Sequence, residues 1–298
     1  YYKTTYKPVY FLLVSLMLAT IIYLNYFPLH ELVFLKQGKL LYTGIFGKFF
    51  VYLLPFGIAY LLQYFFYENF SFIKNKWFWI ILFAAPAIYA LKTDYNFLKP
   101  AIREIWKADE QLFWIHVSRW LTGIFTALFP VYFIWKIKDR EEMEFYGISG
   151  LKEIKPYLLM IICMFPLIIL ASTQPDFLKM YPRAAIVSSW ELQPKGIFYT
   201  IHEVFYSLDF ITIEFFFRGF LILSMVKLCG KQCIVPAACF YCCIHLGKPM
   251  GEAISSFAGG LLLGIISYHT KSIWGGFIIH LGIAGLMELA GFISMRLV

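Results

Sequence analysis

Charge is scarce in this 298-residue chain: Asp, Glu, Lys and Arg supply only 15% of it. A soluble domain carries roughly a quarter, so an ordinary water-soluble globule is excluded. A net charge of +8 is modest for the length. No segment joins a basic face to exposed aromatics, and no nucleic-acid partner is expected. There is no Gly-rich phosphate loop and no Gly-x-Ser-x-Gly elbow. His202-Glu203 opens a His-Glu-x-x-His zinc-protease pattern, but Tyr206 stands where the second His belongs. The six cysteines lie in or beside apolar runs without loop-type pair spacing, so they read as small hydrophobes and leave the compartment open. No internal repeat relates the two halves, which counts against a transporter.

What the chain has in abundance is apolar and aromatic side chains. Sixty per cent of residues are hydrophobic, with 32 Phe, 21 Tyr and 8 Trp, and the mean hydropathy is +0.69. These values predict an all-α, polytopic membrane protein with interfacial aromatic belts. A helical span needs about 20 mostly apolar residues. That template places spans near 9–27, 49–66, 77–91, 112–135, 157–172, 197–228, 233–246, 253–269 and 273–295, about nine in all. The run at 9–27 is too long for the apolar region of a signal peptide.

Three polar connectors interrupt the pattern. Segment 92–110 predicts an interfacial helix, and 173–195, with Pro175, Pro182 and Pro194, predicts irregular chain. Segment 136–155, with Asp139-Arg140-Glu141-Glu142, is the most charged. It suggests a division into an N-terminal four-span unit (1–150) and a C-terminal five-span unit (151–298). Lys and Arg divide evenly between the two sides of the membrane, so orientation does not follow from charge.

Ionisable residues inside the apolar runs of the C-terminal unit are the candidate site. Glu214 and Arg218 share one helix face at i,i+4. His245 closes one apolar run and His280 sits inside another. A charged group at the bilayer centre costs roughly 2.5–3.5 kcal/mol on insertion scales. Four such residues in successive spans therefore predict a shared polar cavity. A structural ion pair that fixes helix packing is the other reading of Glu214 and Arg218. His116 and Arg119 read as snorkelling or interhelical groups. Two imidazoles fall short of the three ligands of a zinc site, so neither a metal nor a cofactor is expected.

Three segments in order then resemble the CPBP family of intramembrane proteases, which includes the type II CAAX prenyl endopeptidases and Abi-like proteins. They are Ile213-Glu214-Phe-Phe-Phe-Arg218, Tyr241-Cys-Cys-Ile-His245 and His280-Leu-Gly-Ile-Ala284. The resemblance covers about residues 151–298 and implies that Glu214, Arg218, His245 and His280 are the catalytic-site residues. It also implies a paired Glu where Ile213 stands, a Phe where Tyr241 stands and an Asn where Ala284 stands. Isoleucine cannot accept a proton and alanine cannot donate a hydrogen bond. The expectation is a catalytically impaired, protease-derived scaffold that binds a membrane peptide, a lipid or a partner subunit. The alternatives are an active metalloendopeptidase with a displaced base, for which Asp209 lies one turn before Ile213, and a transporter subunit.

Overall fold

The structure is a computed structural model and describes residues 7–27, 44–67, 71–148, 150, 154–190 and 192–297. Helices dominate. In chain order they are α1 (Pro8–Tyr26), α2 (Gly44–Phe66), α3 (Lys76–Asp94), α4 (Lys99–Ile105), α5 (Ala108–Lys138) and α6 (Lys155–Ala171). A composite rod follows, α7, built from Lys195–Glu214, a π-helical stretch Phe215–Ser224 and a last turn Met225–Cys229. The chain ends with α8 (Ile234–Cys243), α9 (Met250–Thr270) and α10 (Trp274–Leu297). Local sequence explains several boundaries. Pro8 occupies the first turn of α1, where its missing N–H is no loss. Asn75 caps α3 by accepting the Trp77 N–H at 2.9 Å.

The chain is an integral, multi-pass membrane protein. Among the described residues, five helices are long and apolar enough to cross a bilayer: α1, α2, Glu110–Lys138 of α5, α9 and Trp274–Met295 of α10. The remaining four expected segments are helical as well. The segment at 233–246 holds α8, ten residues with every side chain buried. At 1.5 Å per residue it is about 15 Å long, half a hydrocarbon core. The connector at 92–110 contains the short α4, and 173–195 holds helical turns at Pro175–Leu178 and Arg183–Trp190. The expected unit boundary falls on residues 151–153, outside those described.

One apolar core runs through both expected units. Phe240 on α8 is ringed by Tyr52 and Phe56 of α2, Tyr89 of α3, and Phe216 and Phe217 of α7, with centroids 5.1–6.1 Å away. Three polar ties reinforce the packing. Lys92 Nζ meets Asp209 Oδ1 at 2.7 Å. Gln63 Nε2 donates to the Cys229 carbonyl at 3.1 Å. Buried Asp139 Oδ2 accepts from the Tyr146 hydroxyl at 2.6 Å and the Ser224 hydroxyl at 2.9 Å, while Lys138 binds Oδ1 at 2.8 Å. Burial and the bond to Asp139 push the Tyr146 phenol well above its usual range. Tyr146 takes a positive φ of 41°, an uncommon conformation for a bulky residue. Its carbonyl lies so near Gly219 that a Cβ there would sit 2.5 Å away. The π-helical stretch and the 139–147 turn are therefore fitted to one another.

Candidate functional site

Glu214 ends the α-helical part of α7, and Arg218 follows in its π-helical part. Both side chains are fully buried, with Arg218 Nε 3.4 Å from Glu214 Oε2. The pair is close enough for charge attraction, but its geometry is not that of a hydrogen bond. Glu214 Oε2 and Arg218 Nε and Nη2 have no hydrogen-bond partner. The guanidinium instead lies over the Tyr241 ring, 4.2 Å from its centroid, a favourable cation–π placement. The other carboxylate oxygen, Glu214 Oε1, is 2.8 Å from His280 Nδ1. Room for this carboxylate comes from Gly276, where a Cβ would overlap Glu214 Oε2.

Hydrogen-bond partners assign the imidazole tautomers. The carboxylate can only accept, so His280 Nδ1 carries a proton, and in the neutral ring Nε2 keeps a lone pair. That lone pair meets the Tyr241 hydroxyl at 2.9 Å. A continuous chain results: Arg218, Glu214, His280, Tyr241. His245 Nδ1 lies 2.9 Å from the Tyr241 backbone carbonyl, so this nitrogen donates as well. The neutral ring then presents Nε2 as an acceptor, and that nitrogen is 3.9 Å from Glu252 Oε1. Glu252 is held in turn by Lys248 Nζ at 2.6 Å and by the Tyr181 hydroxyl at 2.9 Å.

His245 and His280 line one cavity of about 490 Å³, within the usual range of small-molecule sites. Lys248, Glu252, Tyr181 and Tyr241 share their end of it, and apolar side chains of α6, α9 and α10 make the rest. Helix α6 packs along α10, with no close backbone approach to α9 over most of its length. The lining residues Leu159 and Leu167 of α6 and Leu262 of α9 are also exposed on the outer apolar surface. The cavity is thus open between α6 and α9, on a side flanked by these exposed leucines. The segment after α6 closes the polar end: Asp176 Oδ2 accepts the Met250 N–H at 3.0 Å, and Glu288 accepts the N–H groups of Arg183 and Ala184 at 2.8 and 3.2 Å.

The four residues singled out in the sequence therefore lie together, but not alike. His245 and His280 face the cavity, while Glu214 and Arg218 stand behind His280. Ala284 is part of the cavity wall. Ile213 packs against the apolar cluster of Tyr206, Phe210 and Ala284. Asp209 does not reach the cavity, because its carboxylate is engaged by Lys92. The alternative of a displaced base at Asp209 meets this ion pair across α3 and α7. His202 stacks on His116, ring planes 4° apart and centroids 5.5 Å apart, away from the cavity. Among the described residues no three His, Cys, Asp or Glu side chains converge as a metal site.

Sequence reasoning missed Glu252, Lys248 and Tyr181. The i,i+4 spacing of Lys248 and Glu252 at a helix start was the available signal. Nothing local in the sequence connects Tyr181 to them.

With this geometry in view, the comparisons with known proteins are specific. Residues 201–286 match the family described as Type II CAAX prenyl endopeptidase Rce1-like. Over this region the chain is similar to the CAAX protease family. The match runs from within α7 to the middle of α10 and includes Glu214, Arg218, His245 and His280. No curated protein and no solved structure matches the chain.

Proposed function

We infer that this CAAX-protease-like membrane protein holds an amphiphile in its cavity without cutting it, as a protease-derived binding scaffold. One observation carries the reading: His280 Nε2 is already taken by the Tyr241 hydroxyl at 2.9 Å. An oxyanion needs donors aimed at the position where its charge develops. His280 offers none in its neutral form, since Nδ1–H points at Glu214 and Nε2 accepts. Position 284, on the cavity wall, is Ala and has no donor either. Tyr241 stands where the family resemblance has Phe, so the three departures at 213, 241 and 284 act on the same chemistry. Loss of one oxyanion donor alone costs about 2.7–4 kcal/mol of transition-state stabilisation. The cavity itself is kept, with apolar walls, a polar end and a lateral opening, which suits a lipid-phase ligand.

The test is a cleavage assay on the purified chain with a farnesylated CAAX peptide, read by mass spectrometry beside a binding measurement. Retention of intact peptide or lipid with no cleavage product is expected. Turnover that survives purification and disappears with His245→Ala would refute the scaffold reading. The triple change Ile213→Glu, Tyr241→Phe, Ala284→Asn restores the Glu, Phe and Asn of the family pattern and frees His280. Product from that variant alone supports the account of why the unmodified chain is silent.

A further inference from the structure

Glu252 and His245 present an arrangement that the family resemblance does not explain. Both face the polar end of the cavity, and both are hydrogen-bond acceptors there. His245 Nδ1–H is committed to the Tyr241 carbonyl at 2.9 Å, so Nε2 of the neutral ring offers a lone pair. Glu252 Oε1 lies 3.9 Å beyond it. That separation is too long for a direct hydrogen bond. It suits a small group that carries two N–H or O–H donors and spans the gap, one to each acceptor.

Charge decides what kind of group fits. Lys248 Nζ neutralises Glu252 at 2.6 Å, and Arg218 faces Glu214 at 3.4 Å. The carboxylates of Glu252 and Glu214 thus already face cations, and a further cation, Arg183, lies over the Tyr206 ring at 5.0 Å. A carboxylate head would turn its oxygens toward two acceptors. An ammonium head would add a second cation beside Lys248. In surroundings of low dielectric either is penalised, whereas a neutral double donor is not. The rest of the cavity fixes the remainder of the ligand. Its apolar walls and the opening between Leu167 of α6 and Leu262 of α9 admit a hydrocarbon tail from the bilayer.

We propose that the cavity takes a single-chain amphiphile with a neutral head bearing two hydrogen-bond donors, such as a vicinal diol, held between His245 Nε2 and Glu252 Oε1. The proposal rests on the scaffold reading and names its ligand class.

The test uses the full chain in detergent, titrated with vicinal hexadecanediol, hexadecanol, hexadecanoic acid and hexadecylamine, and read by native mass spectrometry. The diol should bind about tenfold more tightly than the acid or the amine, with hexadecanol between. Glu252→Gln should narrow the preference to about threefold or less, because the amide can turn its own N–H₂ toward His245. Gly259 lines the cavity, and a Cβ there meets nothing within 4 Å. Gly259→Phe should therefore fill the cavity without a backbone clash and abolish binding of all four probes. The ranking on the unmodified chain needs no variant, so the test survives a Glu252→Gln chain that fails to fold. Equal affinity for diol and acid, or an unchanged preference in a folded Glu252→Gln chain, overturns the head-group assignment and leaves the scaffold reading standing. Failure of all four probes, or binding undiminished by Gly259→Phe, overturns both.

Discussion

Arg218 shows what a single side chain does here. It is 1% exposed and balances Glu214, which is itself fully buried. Arg218→Ala would leave that carboxylate inside the bundle with only His280 against it. Breaking a buried pair by removing one partner typically costs about 3–5 kcal/mol. The expected result is a sharp loss of expression and a lowered Tm in detergent, whatever happens to binding; a melting curve like that of the unmodified chain would sink the structural role. Gly276 tests the same carboxylate from the other side. Gly276→Ala puts a methyl group where Glu214 Oε2 lies. Overpacking of this kind costs roughly 1–3 kcal/mol, and the displaced carboxylate would loosen its 2.8 Å contact with His280. The checking measurement is again Tm, together with the ¹⁵N shifts of the His280 ring. At this scale the sequence was readable where a polar residue interrupts an apolar run, as at Glu214, Arg218, His245 and His280. It was silent on Gly276, because a glycine's role here depends on a helix 60 residues away. It left Asp209 open, because helical spacing allows access to the cavity while Lys92, from another helix, sets its direction.

The elements divide by what surrounds them. Helices α1, α2, α5, α9 and α10 are long and apolar, and their periodicity and length announced them. Helix α8 did not announce its nature: a short apolar run looks alike whether it crosses lipid or fills a protein core. Its burial comes from α2, α7 and α9, which local sequence cannot express. The π-helical stretch was equally hidden, and so was the close approach of its Gly219 to the Tyr146 carbonyl. Cysteine reactivity separates these environments. Cys163 on α6 is exposed at the cavity mouth, and the other five cysteines are buried. N-ethylmaleimide should modify one thiol of six in the folded chain, as counted by intact-mass measurement. A rapid adduct on Cys239, Cys242 or Cys243, located by peptide mapping, would show that α8 is not enclosed. Vicinal hexadecanediol at saturation should slow the Cys163 adduct, because Cys163 lines the cavity the diol is assigned to.

At the scale of the whole molecule, the sequence suggested two units with a boundary near residue 150, and only the second resembles a known family. The physical contacts argue that the second unit depends on the first. Phe240 packs on Tyr52, Phe56 and Tyr89 from one side and on Phe216 and Phe217 from the other. Asp209 has Lys92 as its counter-charge, the Cys229 carbonyl takes the Gln63 amide, and Ser224 is tied to Asp139. A chain beginning at residue 150 would turn a face of α8 meant for aromatic rings toward lipid. Lipid can replace apolar contact, but it cannot replace Lys92. An unpaired Asp at membrane depth costs roughly 2.5–3.5 kcal/mol on insertion scales, and the lost Asp139 and Gln63 bonds add about 0.5–1.5 kcal/mol each. These penalties together reach the lower end of the roughly 5–15 kcal/mol stability of a whole domain. Residues 150–298 expressed alone should therefore fail to give a monodisperse species on size-exclusion chromatography in detergent. Co-expression with residues 1–149 should restore it, with the two pieces eluting together. An isolated 150–298 fragment that runs as a sharp peak and binds the same amphiphile as the full chain would mean that the CAAX-protease-like unit stands alone and that the shared aromatic core is incidental to it.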